Sequence, residues 1–507
     1  MKRQHTNWLG MCALGTILAF TSGCNFADEL LDVRNFDEIL IEEVDNIALL
    51  KVRVAGVIDN FQGAYDDPVL EFGSYMTDEV LSGLNWEGHA RTNQRITSYL
   101  EGPTEAIFEQ LSRAHITGKK LADQIRIWAA GDPIEMEWVK VDKDDPSDFD
   151  PELATALVFA GYSLVVSGEM MCQSVISYDS ENPSSTILEQ RDIFDAAIPF
   201  LTDGLAVATG AGEDDLMNLA RVGLARASLG RGAWADAASW GDLVPSGFEW
   251  WLEYVETSGG RNPLQNTSHG SNFTLGIHPA FTGIHPSFDG TGFTFKDNGI
   301  VDPQTDPRIQ HWTRDRTGHN RLTPLYKLFQ GLRWGEYTGE TLADSSASCP
   351  LCTGIKESDF DDFLIANRST DILLADYTEA QHHRHEGLAM QPGNEAAVLT
   401  FVNTRRAVGN QTALVGTTGQ LLIDELRNQR ARDLFMGGFR LGDLRRWTVF
   451  DPGNGRQAGG SYFPTGAHPN SEWGNYENWT CYPIPLSEYT GNPNLAKPAN
   501  PAIPPNI

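Results

Sequence analysis

Leu426-Arg427-Asn428-Gln429-Arg430, followed by Asp433-Leu434-Phe435-Met436-Gly437-Gly438-Phe439-Arg440-Leu441-Gly442-Asp443-Leu444-Arg445-Arg446-Trp447, is the stretch on which the fold turns. It reads as a helix followed by a turn. Arg440, Arg445 and Arg446 stand close in sequence to Asp433 and Asp443, and pairing them would staple the turn to a helical bundle. Long paired side chains mostly hold helix ends. Arg440, Asp443 and Arg445 are therefore expected to be structural, marking the fold more than a ligand. Gly437-Gly438 lies inside the helical pattern and is not a phosphate-cradling loop.

Outward from this stretch the helical period persists. Across 105–131, Ile107, Phe108, Leu111, Ala114, Gly118, Leu121, Ile125 and Trp128 recur every three or four residues, an amphipathic stripe. Similar stretches cover 152–176, 190–208, 214–229 and 233–244, then 371–386, 395–408 and 420–434. Short gaps holding Gly or Pro join neighbours, as in helical hairpins. Ala225, Gly232 and Ala237 are spaced as in a tetratricopeptide hairpin, where small residues let two helices approach and glycine makes the turn. Small residues at crossings suit any bundle equally well. The expected class is mainly α, one domain over 24–507, with a helical frame at 38–244 and 371–447.

Between 245 and 370 the periodicity lapses into a stretch rich in Gly, Asn, Thr, His and aromatics. Loops of that length are seldom mere connections, so this variable region is expected to face the ligand. The segment 453–507 is again irregular and Pro-rich.

Of 507 residues, 41% are hydrophobic and 21% charged, which excludes collagen-like, coiled-coil and wholly disordered chains. Basic residues number 38 against 68 acidic, a net charge of −30. That excess repels phosphate backbones and anionic bilayer surfaces, so no nucleic acid is expected as a partner. Lys2 and Arg3 precede the apolar stretch 9–20, too short to span a bilayer and proportioned like a secretory leader. Thr21-Ser22-Gly23-Cys24 resembles the lipobox of bacterial lipoproteins, with Thr21 where an aliphatic residue is usual. Cleavage of a 1–23 signal peptide would leave Cys24 acylated and the chain tethered to a membrane. No other stretch approaches 18 apolar residues, so no further span is expected. Cys349 and Cys352 lie in a Ser/Gly/Pro-rich loop, without the second close pair of a zinc knuckle or the strand-to-helix setting of a redox motif. A local disulfide between them is expected in an exported chain. Cys172 and Cys481 are left unassigned.

The chain carries no H-E-x-x-H, G-x-S-x-G, Walker loop or dinucleotide-binding glycine motif and is not expected to be an enzyme. Acidic pairs such as Asp214-Asp215 read as solvated turns. In His382-His383-Arg384-His385-Glu386, the face shared by Glu379, His382, His383 and Glu386 has metal-ligand spacing. Arg384 is adjacent and no third ligand is apparent, so a solvated helix end is expected, with no metal or other cofactor. Sugars present apolar faces and polar edges, which suits a flat aromatic beside amides, Arg and acids. Trp250, Trp251, Tyr254, Trp312 and Trp334 in the variable region, and Trp86 with Arg91 and Asn93 earlier, supply that mixture and are the candidate ligand residues.

Three segments of the last third carry a family resemblance. Leu373-Leu374-Ala375-Asp376-Tyr377-Thr378-Glu379-Ala380 with Val402-Asn403-Thr404-Arg405-Arg406-Ala407 resembles the last repeat hairpin of SusD/RagB-like lipoproteins. The stretch 426–447 resembles their signature, with Gln429, Asp433 and Gly437 where the family usually carries Glu, as in a divergent member. Cys481-Tyr482-Pro483-Ile484-Pro485-Leu486-Ser487-Glu488-Tyr489 with Asn492-Pro493-Asn494-Leu495 is similar to the family's closing Pro-Ile-Pro and Asn-Pro-Asn segment. The resemblance implies a SusD-like helical fold with tetratricopeptide-like hairpins and a loop-rich variable region. It also implies a surface-exposed outer-membrane lipoprotein that binds oligosaccharide, less often peptide, without cleaving it. A SusC-like TonB-dependent transporter would be its partner in nutrient uptake. Two rivals are a secreted glycoside hydrolase with its carboxylates in the variable region, and a tetratricopeptide-like interaction scaffold without a small ligand.

Overall fold

The computed structural model describes residues 47–82, 87–130, 149–178, 182–255, 260, 262–264, 275–282, 284–288, 293–297, 308–313, 326–331, 371–469 and 473–497. The leader 1–23, Cys24, Trp86, Trp334, Cys349 and Cys352 therefore lie outside the described residues. The chain divides into two compact units, Met1–Leu50 and Lys51–Ile507. Of the first, only 47–50 are described, a single 3-10 turn at Ile47–Leu49 and the first residue of a helix.

The second unit is mainly helical. Helix α1 (Leu50–Ala64) runs on through a π-helical stretch, Tyr65–Phe72, and a last turn, Gly73–Tyr75. Pro68 lies inside the π stretch; it has no N–H for the ordinary ladder, and π-bulges are a usual accompaniment of such breaks. After β1 (Val80–Ser82) and α2 (Glu87–Asn93) comes α3 (Gly102–Ala129), opened by Pro103 in its first turn. Every residue of the expected stripe, Ile107 to Trp128, is buried. It packs on α4 (Asp150–Met170), whose residues 153–170 are buried on all sides. Together with α5 (Gln190–Ala211), α4 is long and apolar enough to cross a bilayer, contrary to the expectation that no further stretch would be. It is instead the enclosed axis of the molecule, apolar all round because helices surround it.

Helices α6 (Asp214–Arg231) and α7 (Trp234–Asp242) form the hairpin marked by small residues. Ala225 and Ala237 are fully buried, and Gly232 turns the chain at φ +75°, a left-handed conformation that disfavours any side chain. Beyond it, β4 (Glu249–Leu252) leaves the frame. The variable region holds β5 (Leu275–Ile277), β6 (Ile284–Phe288), β7 (Phe293–Asp297), β8 (Ile309–Thr313) and β9 (Tyr326–Gly331). They pair antiparallel in twos, β1 with β5, β6 with β7 and β8 with β9.

The chain re-enters the frame through β10 (Ile372–Asp376), antiparallel to β4 with Ile372 opposite Leu252. A helix was expected from 371, but Ile372, Leu373, Leu374 and Ala375 are all buried, and a short unbroken apolar run does not distinguish strand from helix. The excursion thus begins and ends in one two-stranded ribbon. Then follow α8 (Tyr377–Ala389), capped where Asp376 accepts the Glu379 amide at 2.7 Å, α9 (Glu395–Val408), α10 (Gly419–Asp433) and α11 (Arg440–Phe450). A disulfide joins Cys172, just past α4, to Cys481, 309 residues on. Beside it the backbones of Met170–Cys172 and Tyr482 exchange hydrogen bonds of 2.9 and 2.8 Å, seating the closing segment on the core.

Candidate functional site

The turn between α10 and α11 is built on buried charge. Arg430 meets Asp443 at 2.7 Å, and Arg446 reaches Asp443 at 3.0 Å and Glu386 of α8 at 2.8 Å. Burial alone would push the Asp443 and Glu386 carboxyls up, but the surrounding arginines outweigh it and hold both below the usual carboxylate range. Arg445 donates to the carbonyls of Gly168 and Glu169 at the C-terminus of α4, where the helix leaves its last acceptors unused. Arg440 does not pair with Asp443 or Asp433. It crosses to Asp78 in a two-pronged bond of 2.7 and 2.8 Å. The turn is reached at Met436 (φ +55°) and Gly438 (φ +78°), and Tyr65 donates its hydroxyl to the Gly437 carbonyl at 2.6 Å. Glu79 accepts the Met436 amide at 3.0 Å, and burial pushes its carboxyl up to about 7.

The histidine run of α8 belongs to this interior. The expectation of a solvated helix end is corrected, since Glu379, His382, His383 and Glu386 are all buried. Asp433 accepts from His382 at 2.6 Å and from both prongs of Arg405 at 2.8 Å. Burial keeps the His382 and His383 rings neutral, below the usual imidazole range. His385 donates Nδ1–H to the Gln381 carbonyl at 2.7 Å and stacks on Phe401. Among the described residues no group of three or more His, Cys, Asp or Glu is arranged to hold a metal ion.

On the outer side of α10 and α11 this lattice backs an open cavity of about 350 Å³. The rings of Phe281, Trp447 and Tyr462 line it, with only Tyr462 more than marginally exposed, and Arg427, Arg440, Arg456, Asp78, Asp424 and Asn428 give it polar edges. Its wall is stiff. Arg427 lies over the Trp447 and Tyr462 rings at 5.0 and 5.2 Å and is tied to Asp451 at 2.6 Å. Trp447 anchors its indole N–H on Glu386 at 2.7 Å. Asp78 is kept ionised because the charge of Arg440 outweighs its burial. The rim comes from the glycine-rich stretch after α11, which carries Asn454, Arg456 and Gln457.

Of the described candidate residues singled out in sequence, only Arg440 lines the cavity. Asn93 is buried, its amide donating to the Tyr75 and Val80 carbonyls and accepting from Ser82. Arg91 pairs with Glu101 at 2.9 Å. Tyr254 is buried with its hydroxyl on Asp66 at 3.0 Å. Trp250 is half-buried against Phe159, and Trp251, also half-buried, donates to Glu249 at 3.1 Å. Trp312 lies in β8, with its side chain outside the described set. The cavity itself was hidden because its wall joins residues such as Asp78 and Arg440, 362 positions apart. The signature stretch itself, which supplies Arg427, Asn428, Arg440, Leu444 and Trp447 to the wall, was the available signal.

Residues 368–502 match the model of the SusD family. No curated protein sequence matches the chain. Among solved structures, a SusD homolog from Bacteroides thetaiotaomicron VPI-5482 is similar with a TM-score of 0.60 and 12% identity, over 90% of this chain and 98% of that one. A SusD superfamily protein from Parabacteroides distasonis ATCC 8503 gives 0.57 at 13% identity over 89% and 99%. A SusD-like carbohydrate binding protein from Bacteroides vulgatus ATCC 8482 gives 0.56 at 14% over 88% and 97%. The fold is thus shared along nearly the whole length of these proteins.

Proposed function

We propose, from the premise that this chain is SusD/RagB-like in fold and in its last third, that it captures an oligosaccharide at the cell envelope and passes it uncleaved to a TonB-dependent outer-membrane transporter. The observation that carries the binding half is the cavity beside α11, where ring surfaces stand next to polar groups already fixed by one another. A pyranose offers an apolar face to such rings and hydroxyls to such edges, and a stiff wall spares the entropy of ordering side chains on binding. Capture is favoured over hydrolysis in that Asp78 is held by both prongs of Arg440, leaving Asp424 as the one other carboxylate of the described lining where hydrolysis needs a working pair. The SusD-like carbohydrate binding protein of the same fold supports the ligand class. The tether at Cys24 and the transporter partner rest on the family resemblance of the leader and signature.

The purified mature chain, titrated with an oligosaccharide panel, is expected to show saturable change in its intrinsic tryptophan fluorescence with no cleavage products by chromatography. Tyr462→Ala is expected to weaken binding severalfold, as a stacking contribution of about 0.5–1.5 kcal/mol requires. Shortened products appearing during the titration would replace capture with hydrolysis.

A further inference from the structure

The charges of the cavity are paired in its wall and open at its rim. Three arginines and two aspartates line it, and a third carboxylate, Asp451, is bonded to Arg427 at 2.6 Å. Asp78 is occupied by both prongs of Arg440, and one oxygen of Asp424 accepts from Gln420 at 2.9 Å. Arg456 stands exposed at the rim, and its hydrogen bond among the described residues is to the Asp424 backbone carbonyl at 3.3 Å, with no ion pair to a described carboxylate. Arg427 is only 5% exposed. One of its terminal nitrogens serves Asp451 and Tyr462, while its Nε has no hydrogen-bond partner among the described residues. The net charge of −30 argues for a neutral or basic ligand at long range. Surface charges more than about 10 Å apart are largely screened by salt, whereas arginines within one cavity act on its contents directly.

Building on the capture reading, we propose that this cavity takes a sugar residue bearing a carboxylate, a uronate or sialate unit, whose anion meets the Arg456 guanidinium at the rim. A guanidinium and a carboxylate are planar and match two bonds to two bonds, which a hydroxyl does not. The half-buried Tyr462 ring would take the apolar face of the same sugar.

The test is an array of galacturonate-, glucuronate- and sialate-containing oligosaccharides, each beside its carboxyl-reduced neutral counterpart, probed with the full mature chain and with Arg456→Gln. At least one acidic member is expected to bind roughly tenfold or more tighter than its reduced partner, as a charge-assisted bond provides. That preference should shrink with added salt and collapse in Arg456→Gln, whose exposed side chain leaves the fold intact. Equal binding of acidic and reduced members, or binding confined to neutral glycans, overturns the carboxylate assignment and leaves glycan capture standing. Silence across the whole array also overturns the carboxylate assignment, and the wider oligosaccharide panel then decides whether capture itself stands.

Discussion

Arg440 and Asp78 form one wall of the cavity, with side chains only 12% and 7% exposed. Removing one partner of a buried pair leaves the other charged and desolvated. Arg440→Ala is therefore expected to lower the unfolding free energy by about 3–5 kcal/mol in urea titrations. The Asp78→Ala/Arg440→Ala double variant should lose less than the sum of its parts; additive losses would show that the pair is not coupled. Its neighbour Glu79 behaves oppositely to an ordinary salt-bridged acid. Its carboxyl is raised to about 7 in the folded chain from 4.5, so its contribution is complete below about 4.5 and lost as pH rises through 7. The melting temperature of Glu79→Gln relative to the parent should climb between pH 5 and 8; a pH-independent difference would mean that Glu79 is not protonated in the fold. None of this was legible in sequence. The signature displayed its charges and the local Arg446–Asp443 pair, but that Arg440 meets Asp78 depends on a chain crossing 362 residues apart.

At the scale of elements, the long amphipathic helices were legible, because a stripe such as that of α3 needs only the helical period to be seen. The strand β10 was not, because its apolar run is too short to show a period. The buried histidine face of α8 was missed for a related reason: polarity argued for solvent, whereas Asp433, Glu379 and Arg430 supply its partners from inside the fold. The Cys172–Cys481 bond could not be read either, since pairing over 309 residues leaves no local trace. It closes a long loop and seats the Pro-Ile-Pro segment on the end of α4. Reduction, or Cys172→Ser with Cys481→Ser, is expected to lower stability by about 2–5 kcal/mol. An unchanged melting temperature under reductant would mean that the backbone bonds of Tyr482 hold the segment alone.

Across the molecule, one enclosed helix carries the packing, a charged interior fixes the signature turn, and the cavity lies on the outside of that turn. The arrangement separates the packed frame from the excursion between β4 and β10. The excursion between β4 and β10 can change in length and composition while its two ends stay in one ribbon, leaving the frame undisturbed. Such a frame suits a protein that holds a ligand without transforming it and hands it on. The most direct measurement of that claim is a pull-down from detergent-solubilised membranes of the source cell, using the full chain tagged at its C-terminus. Co-recovery of a large TonB-dependent barrel is the predicted result. Recovery of the chain alone, or only with soluble proteins, would contradict delivery to a transporter.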